Sequence, residues 1–192
     1  MDNKIGVILV DDDDDFSFLF KKMVISDERI NYLGRASDKT SGLDMSCQLS
    51  PDIVVMDLNL SGIALDGIDA AKEIRAKTGI EVLLLTAYEK KDIILDASSR
   101  SFASGYVFKS QFQMIVHIIY ETAMSNTPQK EFIKELVLGK LSPAERYVLE
   151  NLVNQEDDLL SSPSTINNQK TSIFKKLGIN NTKELINVFS NW

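Results

Sequence analysis

Five short runs of almost unbroken apolar or β-branched residues punctuate the first part of the chain: Gly6–Val10, Asn31–Gly34, Ile53–Met56, Glu81–Leu85 and Gly105–Phe108. Such runs are what parallel strands covered on both faces require. Helical periods lie between them. Phe16, Leu19, Phe20, Met23 and Val24 fall at i, i+3, i+4, i+7 and i+8, and Phe112, Ile115, Val116 and Ile119 repeat that spacing. Each set predicts a helix with one apolar stripe. Strand–helix alternation repeated five times predicts an α/β fold with a doubly wound, five-stranded parallel sheet over residues 1–125.

The pattern changes after that. Ser125–Lys130 is polar and contains Pro128, so residues 126–140 read as a linker, with a short helix over Glu131–Leu138 ended by Gly139. Three further helices follow over residues 141–192, each with a start signal. Ser142-Pro143-Ala144-Glu145 is a capping box with proline at the first helical position. Ser162-Pro163 opens the next helix, with Ile166, Ile173, Phe174 and Leu177 on one face and a stop at Gly178. Asn181-Thr182-Lys183-Glu184 caps the last. A second, small all-helical domain is expected there.

Charge separates the two parts. Residues 1–125 carry 13 Lys+Arg and 20 Asp+Glu, a balance of −7, whereas residues 126–192 carry eight of each. The acidic excess suits a cation site in the first part and argues against that part gripping phosphate backbones. The neutral second part permits nucleic-acid binding without indicating it. No apolar run is long enough to span a bilayer, and the first residues lack a signal-peptide pattern. The single cysteine, Cys47, excludes an internal disulfide framework and reads as a small packed residue of a cytoplasmic protein.

In an open α/β sheet, ligands bind beyond the carboxyl ends of the strands. Here the first strand ends in Asp11-Asp12-Asp13-Asp14-Asp15, the third in Asp57 and the fourth in Thr86, while the fifth runs into Lys109. Converging carboxylates repel unless a cation sits among them, and oxygen donors with open water positions suit Mg²⁺. A carboxylate fixed at the end of a buried strand can attack phosphorus and form an aspartyl phosphate. The metal and Lys109 would neutralise the transferring group, and Thr86 could hydrogen-bond one of its oxygens.

ILVDD, PDIVVMDLNL, VLLLTAY and GYVFKS, in this order, resemble the signature segments of CheY-like receiver domains, which have a flavodoxin-like fold. The resemblance implies that Asp57 is the phosphoacceptor and that Asp11 and Asp12 position Mg²⁺ with Asp57 and the Asn59 carbonyl. It also implies that Thr86 and Lys109 bind the phosphate and that Tyr106 is the switch aromatic. A sensor histidine kinase would then be the phosphodonor. Asp13, Asp14 and Asp15 have no such role and read as helix-start charges. The loop after Asp57, DLNLSGIALDGI, is longer than usual, and Ser110 replaces a common proline. On the fifth helix, Met114 and Ile118 lie off the core stripe and could form a homodimer contact; His117 reads as structural.

LSPAERYVLENL and SPSTINNQKTSIFKKLGINNTKELINVF resemble the LuxR/NarL-type helix-turn-helix. That resemblance would place Asn167, Asn168, Lys170 and Thr171 in the major groove, with Lys175 and Lys176 on phosphates. The bracing segment Asn154–Ser161 is shorter than in the family and carries the acidic run Glu156-Asp157-Asp158. The expected function is therefore a two-component response regulator, not an enzyme, that controls transcription through DNA. The alternative is a phospho-receiver whose helical domain binds protein or dimerises. A phosphatase using Asp11 and Asp13 is disfavoured: the acidic motif it needs is missing, since the stretch after Lys109 offers only Glu121, and Asp57 would have no role.

Overall fold

The computed structural model describes residues 4–60, 65–124, 127–155, 162–190 and 192. Strands β1 (Ile5–Val10), β2 (Ile30–Ala36), β3 (Ile53–Asp57), β4 (Glu81–Thr86) and β5 (Gly105–Phe108) form one parallel sheet in the order β2-β1-β3-β4-β5. Helices α1 (Asp14–Ile25) and α5 (Ile115–Met124) cover one face; Phe20, Val24, Ile115 and Ile119 pack there on Val7, Leu9, Ile53 and Val55. Helices α2 (Lys39–Leu49), α3 (Gly67–Thr78) and α4 (Lys91–Ser101) cover the other, packing on Ile8, Val10, Val54 and Met56. This is the expected doubly wound sheet. Its strand order reverses between β1 and β3, which opens a crevice beyond their carboxyl ends.

The details differ in instructive places. Strand β2 is longer than its apolar run because it is an edge strand, and its central residues are half-exposed. On α1 the core-facing positions are Ser17, Phe20 and Val24; Leu19 is 52% exposed. Leu19 therefore does not belong to the stripe, because the small buried Ser17 takes the position facing the sheet. Cys47 is exposed on the outer side of α2, not packed. Of the two residues expected off the core stripe, Met114 is exposed but Ile118 packs partly against the core. His117 is exposed. Asp13 caps α1 through the Phe16 amide at 2.9 Å, and Asp14 and Asp15 fill its first turn.

Four helices follow: α6 (Pro128–Leu138), α7 (Pro143–Asn154), α8 (Pro163–Leu177) and α9 (Thr182–Phe189). Helix α6 starts earlier than expected because Thr127 caps it and Pro128 occupies its first turn. The Ser142–Glu145 capping box opens α7, Ser162 caps α8, Gly178 ends α8 in the left-handed region at φ 63°, and Asn181 caps α9. Their apolar faces share a third core that also includes Ala76 and Phe102 from the first 125 residues, beside Ile133, Val137, Ile173, Val188 and Phe189. Phe102 lies within 6.4 Å of both the Phe189 and the Trp192 ring centroids. The C-terminal helices are thus packed onto α3 and α4. Among the described residues, no helix is long and apolar enough to cross a membrane.

Candidate functional site

Strands β1 and β3 are neighbours in the sheet, so the residues that follow them emerge side by side. Asp11, Asp12 and Asp57 each bring a carboxylate oxygen within 4.8 Å of the others. Asp11 is fully buried and Asp57 is 6% exposed, while Asp12 faces solvent. Backbone geometry sets this arrangement. Leu58 N donates to Leu85 O at 3.1 Å, and Asp13 N donates to Asp11 Oδ1 at 2.9 Å, which turns the chain back across the strand ends. Gly67 closes the floor. A Cβ there would lie 1.9 Å from the Asp57 carbonyl oxygen, so only glycine lets α3 start this close to β3.

Lys109 enters from the end of β5. Its Nζ donates to Asp57 Oδ2 at 3.1 Å, lies 2.8 Å from Asp11 Oδ2, and sits 4.6 Å from the Phe16 ring centroid. Burial opposes the Lys109 charge, but Asp11 and Asp57 outweigh it and hold the ammonium above its usual pKa. Asp57 shows the opposite balance. Burial raises it from 3.8 to about 6; Lys109 works against the rise and the Asp11 charge adds to it. Three carboxylates therefore face a single ammonium in a crevice whose burial disfavours the ionised form of Asp57. Their all-oxygen donor set, with Asp12 open to solvent, fits a hard divalent cation such as Mg²⁺.

Thr86 ends β4 beside Asp57 and is buried; its Oγ1 accepts from Tyr88 N at 2.9 Å. Asn59 follows Asp57 by two residues. Its Nδ2 donates to the Tyr88 hydroxyl at 3.1 Å and its Oδ1 accepts from Leu65 N at 3.0 Å. Tyr106 is half-buried on β5, 5.8 Å from the Phe108 ring centroid. Of the expected residues, Lys109 contacts Asp11 and Asp57, Asp12 has a carboxylate oxygen within 4.8 Å of theirs, Thr86 ends the adjoining β4 and Asn59 follows β3. Gly67 and Tyr88 were not singled out from the sequence, and Phe16 was read there only as part of the α1 stripe. A Gly ten residues after a strand-end aspartate is the one signal that could have pointed to Gly67. Part of the longer loop after Asp57, residues 61–64, lies outside the described residues.

On α8, Asn167, Asn168, Thr171 and Lys175 are exposed and Lys170 is half-buried. Lys176 is engaged within the chain, with Nζ 2.6 Å from Glu145 Oε2, and Ser172 donates to Glu145 Oε1 at 2.6 Å. Glu145, almost fully buried, also accepts from Ser142 N at 2.6 Å. Lys176 and Ser172 hold its carboxyl down at about 2. This hub fastens α8 to α7. The shortened bracing segment and its Glu156-Asp157-Asp158 run lie, but for Asn154 and Gln155, outside the described residues.

The response regulator receiver domain family matches residues 7–120. The nitrate/nitrite response regulator protein homolog of Haemophilus influenzae is 29% identical over 171 residues, covering 86% of this chain and 78% of that protein. A LuxR-family two-component response regulator from Aurantimonas superposes with a TM-score of 0.60 at 25% identity, over 72% of this chain and 98% of its own. RcsB from Salmonella enterica serovar Typhimurium, bound to a promoter in the presence of the phosphomimetic BeF3−, superposes with a TM-score of 0.57 at 25% identity. That match covers 99% of this chain and 100% of RcsB.

Proposed function

We propose that this chain, which belongs to the response regulator receiver family, takes a phosphoryl group onto Asp57 and uses it to control transcription through its C-terminal helices. The observation that carries this reading is the contact of Lys109 with both Asp57 and Asp11, 3.1 and 2.8 Å away, beside the exposed Asp12. An Asp57 carboxylate oxygen attacks phosphorus while the bond from phosphorus to the donor breaks, the donor being a sensor histidine kinase. Lys109 stays protonated and neutralises charge on the transferring oxygens. Thr86, freed from the Tyr88 amide, would donate its hydroxyl to the acyl phosphate. Mg²⁺ held by Asp11, Asp12, Asp57 and the Asn59 carbonyl would supply the remaining positive charge.

We assign the phosphoryl-accepting unit to residues 1–125 and the output helices to residues 141–192, joined by residues 126–140. The output surface is the open side of α8, where Asn167, Asn168, Lys170 and Thr171 would face the major groove and Lys175 a phosphate. Lys176 contributes less, because it is bound to Glu145. A homodimer formed on phosphorylation would present two copies of α8 to two half-sites. That so few cations remain free on α8 favours a second reading, in which the helices bind protein instead. Acetyl phosphate with Mg²⁺ should add one phosphoryl mass to the wild type and none to Asp57→Asn, and chelation should abolish the addition. A gel shift across salt concentrations, with and without the phosphoryl group, then separates the two outputs: no binding in either state would sink the DNA reading.

A further inference from the structure

Neighbouring residues near the start of α6 engage two different parts of the sheet. Strand β5 is an edge strand, so its outward amides need partners from elsewhere. Gln129 supplies one: its Oε1 accepts from Tyr106 N at 3.1 Å. Gly105 permits that approach, since a Cβ there would lie 2.9 Å from the same oxygen. The next residue, Lys130, is buried and places Nζ 2.8 Å from Glu81 Oε1 at the start of β4. The other oxygen of Glu81 lies 3.2 Å from Arg75 Nη1 and accepts from the Ser104 hydroxyl. Arg75 is fully buried on α3, and its Nη2 donates to Val188 O on α9 at 3.2 Å. One carboxylate thus joins α6, α3 and, through Arg75, the last helix.

Tyr106 borders a cavity of about 530 Å³ between α4 and α6, walled by Ile94, Leu95, Phe132, Ile133 and Leu136. Tyr106 thus meets α6 through its amide and borders the cavity beside that helix. Any motion of that aromatic changes the support of α6 on two sides at once.

We propose that α6, seated on Tyr106 by Gln129 and latched by Lys130 to the Glu81–Arg75 pair, is the element that reads the receiver switch and passes it to α9. This rests on the reading of Asp57 as phosphoacceptor. A turn of Tyr106, the switch aromatic of the receiver reading, would remove one wall of the cavity and strain the Gln129 hydrogen bond. Helix α6 then loosens, and with it the Lys130 latch on Glu81. Arg75 loses part of its counter-charge and its hold on Val188.

Hydrogen exchange of amides 128–138 in the full chain, with and without BeF3− and Mg²⁺, tests this. The wild type should exchange roughly tenfold faster with BeF3−, within the usual range of coupling between sites. Gln129→Ala, and separately Lys130→Met, should exchange fast without BeF3− and gain little on adding it, while acetyl phosphate still loads Asp57. A purely structural α6 would keep the same fold-increase in variant and wild type, and that result would overturn the proposal. So would unchanged α6 exchange in a wild-type chain that loads Asp57. Failure of Asp57 to load at all would instead overturn the underlying reading, and the proposal with it. Gln129→Ala removes a single part-buried hydrogen bond and no buried charge, so the test survives if Lys130→Met fails to fold.

Discussion

Replacing Asp57 by asparagine should stabilise the metal-free chain, and by an amount that depends on pH. Burial lifts Asp57 from 3.8 to about 6, against the pull of Lys109 and with the push of Asp11. At about 1.4 kcal/mol per pH unit, ionising this carboxyl in the folded chain costs about 3 kcal/mol. The folded pKa lies above the unfolded one, so the folded chain binds the proton more tightly. Stability from that proton is fully present below about pH 4 and is lost as pH rises through about 6. Asparagine has nearly the shape of the protonated acid and never ionises. Lys109 keeps Asp11 as a partner at 2.8 Å. Asp57→Asn should therefore match the wild type near pH 4 and exceed it by about 2–3 kcal/mol near pH 8. In a chain of this size that corresponds to roughly 5–10 °C in Tm. Thermal melts in chelator across that range measure it. Carboxylates remote from Asp57 are common to both proteins and cancel in the difference. Adding Mg²⁺ should narrow the gap at high pH by stabilising the wild type more. A variant no more stable than wild type near pH 8, or a gap that fails to shrink at low pH, would refute the reasoning.

Glu145→Gln should cost about 1–3 kcal/mol at neutral pH, since it weakens charge-assisted bonds to Lys176, Ser172 and Ser142. Because Glu145 is held down at about 2, its contribution is present above its usual value of 4.5 and fades as pH falls toward 2. Urea melts at neutral and acid pH should show the gap closing. Phe102→Ala should lose about 3–5 kcal/mol by opening a cavity against Phe189 and Trp192. Leu19→Ala, on the exposed side of α1, should lie within about 0.5 kcal/mol of wild type in the same melts. If α8 binds DNA, Lys175→Ala should lower the salt slope of binding by about one, whereas Lys176→Ala should destabilise the fold first.

The sheet was legible because its strands are buried on both faces. Ile53–Asp57 is wholly enclosed and its apolar run says so, while the half-exposed edge strand β2 declares only its middle. Asp11, Asp57, Thr86 and Lys109 were legible for a related reason: a strand end fixes where the next side chain goes. Residues brought in by packing left no such trace. Gly67 matters because α3 begins against the Asp57 carbonyl, a proximity between elements that no local pattern records. Leu19 misled because apolar spacing marks a stripe but not which edge of it faces the sheet, and the small Ser17 decided that. The segment 126–140 looked like a linker by its polarity, yet its helix carries Ile133, Val137 and Leu138 into a shared core.

The least legible feature was also the most consequential for how the parts work together. Lys130 lies 49 residues from Glu81 in sequence, and charged residues such as Arg75, Glu81 and Lys130 ordinarily belong to the surface. Here they are buried together, two cations around one carboxylate. Such clusters are weak as sources of net stability, because desolvation offsets much of the attraction, but breaking one partner is severely destabilising. They act more as a constraint on geometry than as an adhesive. Apolar packing alone between Phe102, Val188 and Phe189 would tolerate small slips of the C-terminal helices over α3. The Arg75–Val188 hydrogen bond and the shared Glu81 carboxylate do not. On the proposed function, converting the state of Asp57 into the placement of α8 needs a junction with discrete arrangements, and a buried carboxylate shared by two cations provides one where an apolar seam would yield gradually.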